Sequence, residues 1–288
     1  MLIKRNIKLY FRDKMNVFFS LMAVFIMIAL YVLFLGSVME SALLNIIGME
    51  IDAGPIMTSI VMAGMIATTS VTSGLAGIYR FIADKERAAK DFFTTPISRR
   101  KILFSYVISA AVISVIMSTA ALFVSLVYLA IRGNNLITPL NIVMLFVAII
   151  LTALCANSMV FFLSSLAKTR EAFSSLNIIL GTLIGFFMGV YIPIGNLPSG
   201  VQWALRLFPL NHGASMFRQI LTEDMLTNLF AHPNAPDEYL EHFRLFFGVT
   251  FQYRNFTSSF WFSAAVLAIT AVIFYALSLA VVAKRRLY

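Results

Sequence analysis

Residues able to do chemistry are few in this sequence, and their placement is uneven. The three histidines, His212, His232 and His242, all fall within residues 193–258, and none has a second ligand at metal-site spacing. Cys155 is the only cysteine, which excludes a disulfide framework. No GxxxxGK[ST] phosphate loop, GxSxG elbow or HExxH helix occurs. Serines are plentiful in the apolar stretches, but no acid, lysine or histidine accompanies them there to act as a base. The same stretches lack the carboxylates and histidines of a proton relay and the arginines of a voltage sensor. The residues therefore predict neither a catalytic set nor an energy source on this chain.

Three groupings remain whose spacing carries information. The first is the most charged stretch, 80–101, RFIADKERAAKDFFTTPISRRK. Its segment 82–93 mixes helix formers with charges of both signs, Pro96 disfavours helix at the residue before it, and Ser98 is placed to cap the next helix. This predicts a short helix with Phe92 and Phe93 as an apolar foot, suited to docking. The second is Thr58, Met62, Met65, Thr69 and Thr72, which form one helical stripe at i, i+4, i+7, i+11 and i+14. Hydroxyls can bond back to their own helix, and methionine fills cores as readily as it lines adaptable surfaces, so the stripe is either interior packing or a substrate-facing wall. The third is Gly181, Gly185 and Gly189, a spacing that lets a second helix approach closely. It marks either a seam between two copies or packing within one.

The elements that hold these groups follow from composition. Of the 288 residues 60% are apolar and only 12% charged, about half the ~25% of soluble domains. Six windows lack Asp, Glu, Lys and Arg, and each is long enough for the ~20 residues of a bilayer-spanning helix. They place spans at 17–36, 57–78, 104–129, 142–164, 173–192 and 260–282, in a single domain over 1–288. The first is too long for the apolar core of a signal peptide and is expected to be retained. Pro193 and Pro198 are expected to stop the fifth.

Lysine and arginine set the orientation. Seventeen lie in 1–14, 80–101, 165–171 and the C-terminal tail, against five on the other side, which also holds eight of the 13 acids. Both termini are therefore expected in the cytoplasm of a multi-pass plasma-membrane protein, with 193–258 outside. The net charge of +9 then reflects topology and attraction to anionic membrane lipids rather than nucleic-acid binding. In residues 1–14, Leu2, Ile3, Ile7 and Tyr10 share a face opposite Lys4, Arg5, Lys8 and Arg12, which predicts an interfacial amphipathic helix. Residues 200–208 and 211–220, broken by Pro209, predict two short external helices, re-entrant or interfacial, with Asn211 capping the second. Asp237 opens a further helix after the linker AHPNAPD.

Three segments carry a family resemblance. They are the N-terminal LIKRNIKLYFRDKMNVFFSL, the ADKERAAKDFFTTPISRRKIL stretch before the third span, and IPIGNLPSGVQWALRLFPLNHGASMFRQIL between the last two spans. In this order, with six spans, they resemble the permease subunits of type-2 ABC exporters over essentially the whole chain. One departure is Glu86-Arg87-Ala88-Ala89, where the family often has a glutamate-glycine pair.

The resemblance implies an all-α membrane fold with an N-terminal interfacial helix, a cytoplasmic coupling helix and re-entrant external helices. It implies a dimer with a second copy or a homologous permease. Two separate ATPase subunits would bind ATP and Mg, with no cofactor on this chain. Contacts with the ATPase are expected at Asp84, Lys85, Glu86, Arg87, Lys90, Asp91 and Phe92, and at Lys168, Thr169, Arg170 and Glu171. Efflux of a drug, antibiotic or other amphipathic compound is the expected activity. Export of a lipid-linked polysaccharide or teichoic acid, or an ATP-independent channel or scaffold, are the alternatives.

Overall fold

A computed structural model describes residues 2–47, 54–87, 99–132, 138–167, 169–230, 237–254 and 256–284. Helix α1 is Leu2–Arg12, and α2, Lys14–Leu30, continues through a π-helical turn, Tyr31–Leu35, into α3, Gly36–Ile47. Then come α4 (Gly54–Arg87), α5 (Arg99–Ile131), α6 (Pro139–Leu166) and α7 (Arg170–Phe187). The segment before the last helix holds α8 (Ser199–Leu207), α9 (Pro209–Phe230), α10 (Asp237–Phe246) and a hairpin pairing Gln252–Tyr253 with Phe256–Thr257. Helix α11, Phe260–Lys284, closes the described chain.

Five helical stretches are long and apolar enough to cross a membrane: Val24–Ser41, Gly54–Tyr79, Lys101–Ile131, Pro139–Leu166 and Phe260–Val282. The fifth expected span is not among them. Helix α7 opens on Arg170 and Glu171 and ends at Phe187, about 27 Å of helix, rather than running to 192. Pro193 does not stop it; Gly189 does, at φ +59. The Gly189 N–H donates to Phe186 O at 3.0 Å and the Val190 N–H to Gly185 O at 2.9 Å, the paired bonds of a Schellman ending.

Helix α4 is the axis of the bundle, 94% buried along its apolar stretch, whereas α11 is buried over only 11%. Small residues let α5 close on it. A Cβ on Gly77 would stand 3.0 Å from the Ala110 Cβ. Ser70 and Ser118 hydroxyls meet at 2.7 Å, and Asn157 of α6 donates to Ser114 at 2.9 Å. These are the close backbones and interhelical polar bonds expected where hydrocarbon offers no other partner. The outward faces carry Leu33, Phe34, Phe123, Val143, Trp261 and Val272, each more than half exposed. A water-soluble surface does not carry such a belt.

Two expected boundaries change. Residues 37–47, expected as loop, continue the first span's helix, and α4 runs unbroken to Arg87 instead of yielding to a separate helix from 82. Charges fix where the hydrocarbon ends, but the backbone ladder continues through them because Glu, Lys and Arg are good helix formers. Residues 88–98, with Pro96 and Ser98, lie outside the described residues.

Candidate coupling site

The last turns of α4 gather side chains from four other helices. The Arg170 Nε donates to the Tyr79 hydroxyl at 2.5 Å, and its guanidinium carbon lies 4.9 Å from the Tyr79 ring centroid. Thr169 caps α7 by accepting from the Ala172 N–H at 3.2 Å, which fixes Arg170 in the first helical turn. Phe173 packs on Tyr79 with ring centroids 6.4 Å apart. Further along, the Asp84 Oδ2 accepts from Arg5 Nη1 of α1 at 3.0 Å and from the Tyr106 hydroxyl of α5 at 2.7 Å. Phe81 lies between them, its ring 5.2 Å from both Tyr106 and Phe161.

Helix α1 reaches this site because it docks on the bundle. Its Lys4, Arg5, Lys8 and Arg12 are exposed, as expected, while Tyr10 is fully buried beside Ile113 and Met117. Tyr10 shares a hydrogen with Ser20 at 2.8 Å, and Asn6 donates to Ser109 at 3.4 Å. The Arg5–Asp84 pair is a quarter to two-fifths exposed, so it contributes ~0–1 kcal/mol of stability. It serves more as register between α1 and α4.

The expected contact residues thus divide. Asp84 and Arg170 are engaged within the chain, Thr169 is a helix cap, and Glu171 is exposed in the first turn of α7. Lys85, Glu86 and Arg87 finish α4. Lys90, Asp91, Phe92 and Lys168 lie outside the described residues. The structure brings the two expected stretches onto one helix end, and it adds Arg5, Tyr79 and Tyr106, which the sequence did not single out.

The stripe on α4 faces protein. Thr58, Met62, Met65 and Thr69 are buried and Thr72 is half-buried. Thr58 bonds back to Gly54 O at 2.7 Å and Thr69 to Met65 O at 2.8 Å; Tyr31 closes on Thr58 at 2.9 Å. Hydroxyls satisfied on their own helix, between methionines in the core, are packed inside the protomer.

The three glycines do not act as one seam within the chain. Gly189 ends α7, Gly181 has nothing within 4 Å of a Cβ, and a Cβ on Gly185 would stand 2.2 Å from the Tyr191 ring. Gly185→Leu is expected to cost about 1–3 kcal/mol by overpacking, while Gly181→Leu leaves the stability of the protomer unchanged. Thermal unfolding of the two purified variants checks this, and equal shifts would contradict it.

Within the buried stretch of α4, ten residues from its start at Gly54, stands a second junction. Arg218 of α9 is 0% exposed. Its guanidinium donates to the carbonyls of Met188 and Gly189, where α7 ends, and to Gly248 O at 3.3 Å, just past α10. One buried cation thus meets the negative ends of two helices. Burial pushes its pKa down to about 10, so it stays charged at neutral pH. Gly64 of α4 leaves the room, since its Cβ would lie 2.6 Å from Val190 and 3.5 Å from Arg218 Nη2. Asn211 is not a helix cap but lies inside α9, which begins at Pro209, and donates to Leu205 O at 3.2 Å. From Gly64 to Asp84 is ~30 Å of continuous helix.

Residues 53–280 match the ABC-2 family transporter protein. No curated protein matches the chain. The matched stretch takes in α4 and nearly everything after it, and so the helix bearing both junctions; the chain is a membrane-embedded permease subunit of the ABC-2 transporter family.

Proposed function

We propose that this chain is the membrane subunit of an ATP-driven exporter. It pairs with a second copy or a homologous permease, and separate ATPase subunits carrying ATP and Mg dock at its cytoplasmic, basic end. The observation that supports this most is the convergence of two basic-end stretches, 84–87 and 169–171, on the end of one continuous buried helix. A soluble partner pressing there moves a rod that reaches the Arg218 junction, whereas a flexible loop would absorb the push. An amphipathic drug or antibiotic is the substrate class this reading favours.

The test co-purifies the chain with its ATPase and follows efflux of an amphipathic dye in proteoliposomes. ATP-dependent dye movement is expected; equal movement without ATP or without the ATPase would make the chain a channel. Asp84→Asn combined with Arg170→Ala is expected to lower transport roughly tenfold while ATP hydrolysis continues. Normal transport in that variant would remove the coupling role of this site.

A further inference from the structure

The exposed apolar surface of the bundle is concave where α5, α6 and α11 meet. A cavity of about 310 Å³ lies among Phe104 and Val107 of α5, Leu151 and Ser158 of α6, and Val272 and Tyr275 of α11. A second cavity, about 200 Å³, continues it between α5 and α6, with Ile108 and Leu154 lining both. Apart from Ser158 and Tyr275 every lining residue is apolar. The Phe104 and Tyr275 rings meet edge to face across one end, centroids 6.3 Å apart.

Along α5 the groove runs from Phe104 to Ile116, about 18 Å of helix. That is close to half of a ~30 Å hydrocarbon core, the reach of one leaflet. It starts three residues after the apolar run of α5 begins, at Lys101. Lys101 is exposed, and Lys101, Phe104, Ile108, Val112 and Val115 fall at i, i+3, i+7, i+11 and i+14, one helical stripe. The positive charge therefore stands at the mouth of the groove, with Arg99 and Arg100 next to it in sequence.

We propose that this groove holds one acyl chain of an anionic glycerophospholipid from the leaflet at the basic end, with the lipid phosphate against Lys101. Three crossing helices line the groove, so its occupant is drawn from the hydrocarbon layer. A partner helix, ~10 Å across, would need several times the volume available along this length. An extended hydrocarbon chain fits the narrow apolar trough, and the lysine at one end selects the headgroup. The lipid would join α11 to α5 on the side of the bundle away from α4.

The test is native mass spectrometry of the full-length protein released from vesicles of phosphatidylglycerol and phosphatidylcholine with identical acyl chains. One phosphatidylglycerol per chain is expected to be retained in preference to phosphatidylcholine. Ala271→Phe and, separately, Leu154→Trp fill the groove from two walls, and each is expected to lower retention roughly tenfold. Lys101→Gln keeps the groove and is expected to lower the preference for phosphatidylglycerol about fivefold. Val143→Phe, on the exposed face of α6, is the control and retains lipid as the unsubstituted protein does. Retention unchanged in both groove-filling variants, a loss in the control as large as theirs, or a polypeptide held in place of lipid would each overturn the proposal. Equal retention of the two lipids by the unsubstituted protein would overturn the headgroup assignment.

Discussion

Arg218→Met is expected to lower the stability of the purified protein by about 3–5 kcal/mol, the cost of removing one partner from a buried polar arrangement. The usual objection is that a buried charge is often replaceable by an apolar side chain of similar size without loss. That holds when both partners are replaced. Here the partners are the backbone carbonyls of Met188, Gly189 and Gly248, which no side-chain substitution removes. Each unmet carbonyl costs about 1–3 kcal/mol, and two helix ends lose the cation that faces them. Arg218→Lys keeps the charge but not the fork that reaches both ends, so it is expected to fall between methionine and arginine. Thermal unfolding in detergent gives the order, and limited proteolysis within 188–198 locates the damage. A methionine variant within roughly 1 kcal/mol of the unsubstituted protein would mean that the guanidinium is incidental to the junction.

Arg218 also marks the limit of what patterns in the sequence reveal. Its helical neighbours one turn away are Ala214, Ser215, Leu221 and Thr222, all buried; an arginine on such a face was a legible sign of a buried cation. Its partners were not legible, because they are backbone groups from segments 30 residues away on either side. The charge-free windows located the apolar helices well, since the bilayer acts on composition. They did not locate helix ends: α3 and the last turns of α4 continue past the membrane limit because hydrogen bonding, not hydrophobicity, decides where a helix stops. The α4 stripe was visible as a stripe. Whether it faced a cavity or the core depended on α5, α6 and α9 packing around it, which no single-helix pattern contains. The glycines of α7 show the same gap from the backbone side. Equal spacing suggested one role, while Gly189 alone takes a positive φ and so ends the helix that a seam would have needed. At the basic end the amphipathic pattern of α1 was plain, but its register on α5, and hence the meeting of Arg5 with Asp84, rests on Asn6 finding Ser109 and Tyr10 packing on Ile113 and Met117 across the chain.

His212 should make the segment between α7 and α11 sensitive to acid. The imidazole is 2% exposed in α9, with Nδ1 3.1 Å from the Ser263 hydroxyl and Nε2 3.1 Å from the Tyr253 hydroxyl. Tyr253 donates its own proton to Arg206 O at 2.7 Å. The neutral tautomer protonated at Nε2 satisfies every member: Nε2–H donates to Tyr253, and Ser263 donates to Nδ1. A second ring proton would confront the Ser263 hydrogen and charge a site walled by Phe251 and Phe262. Burial accordingly pushes the histidine down to about 4 from 6.5, a shift only partly opposed by the Arg206 backbone. Because the folded value lies below the unfolded one, the opened segment binds the proton first. The stabilisation is complete above pH 6.5 and is lost as pH falls toward 4, by about 2 kcal/mol at pH 5 and about 3 kcal/mol at pH 4. His212→Gln keeps a donor toward Tyr253, gives up the acceptor for Ser263 and removes the titration. It is expected to start less stable at pH 7.5 and to lose less on acidification. Melting curves of both proteins between pH 7.5 and 4 read the difference in slope, which cancels the contributions of His232 and His242 common to the two. Parallel curves would show that His212 is not the group whose protonation opens this segment.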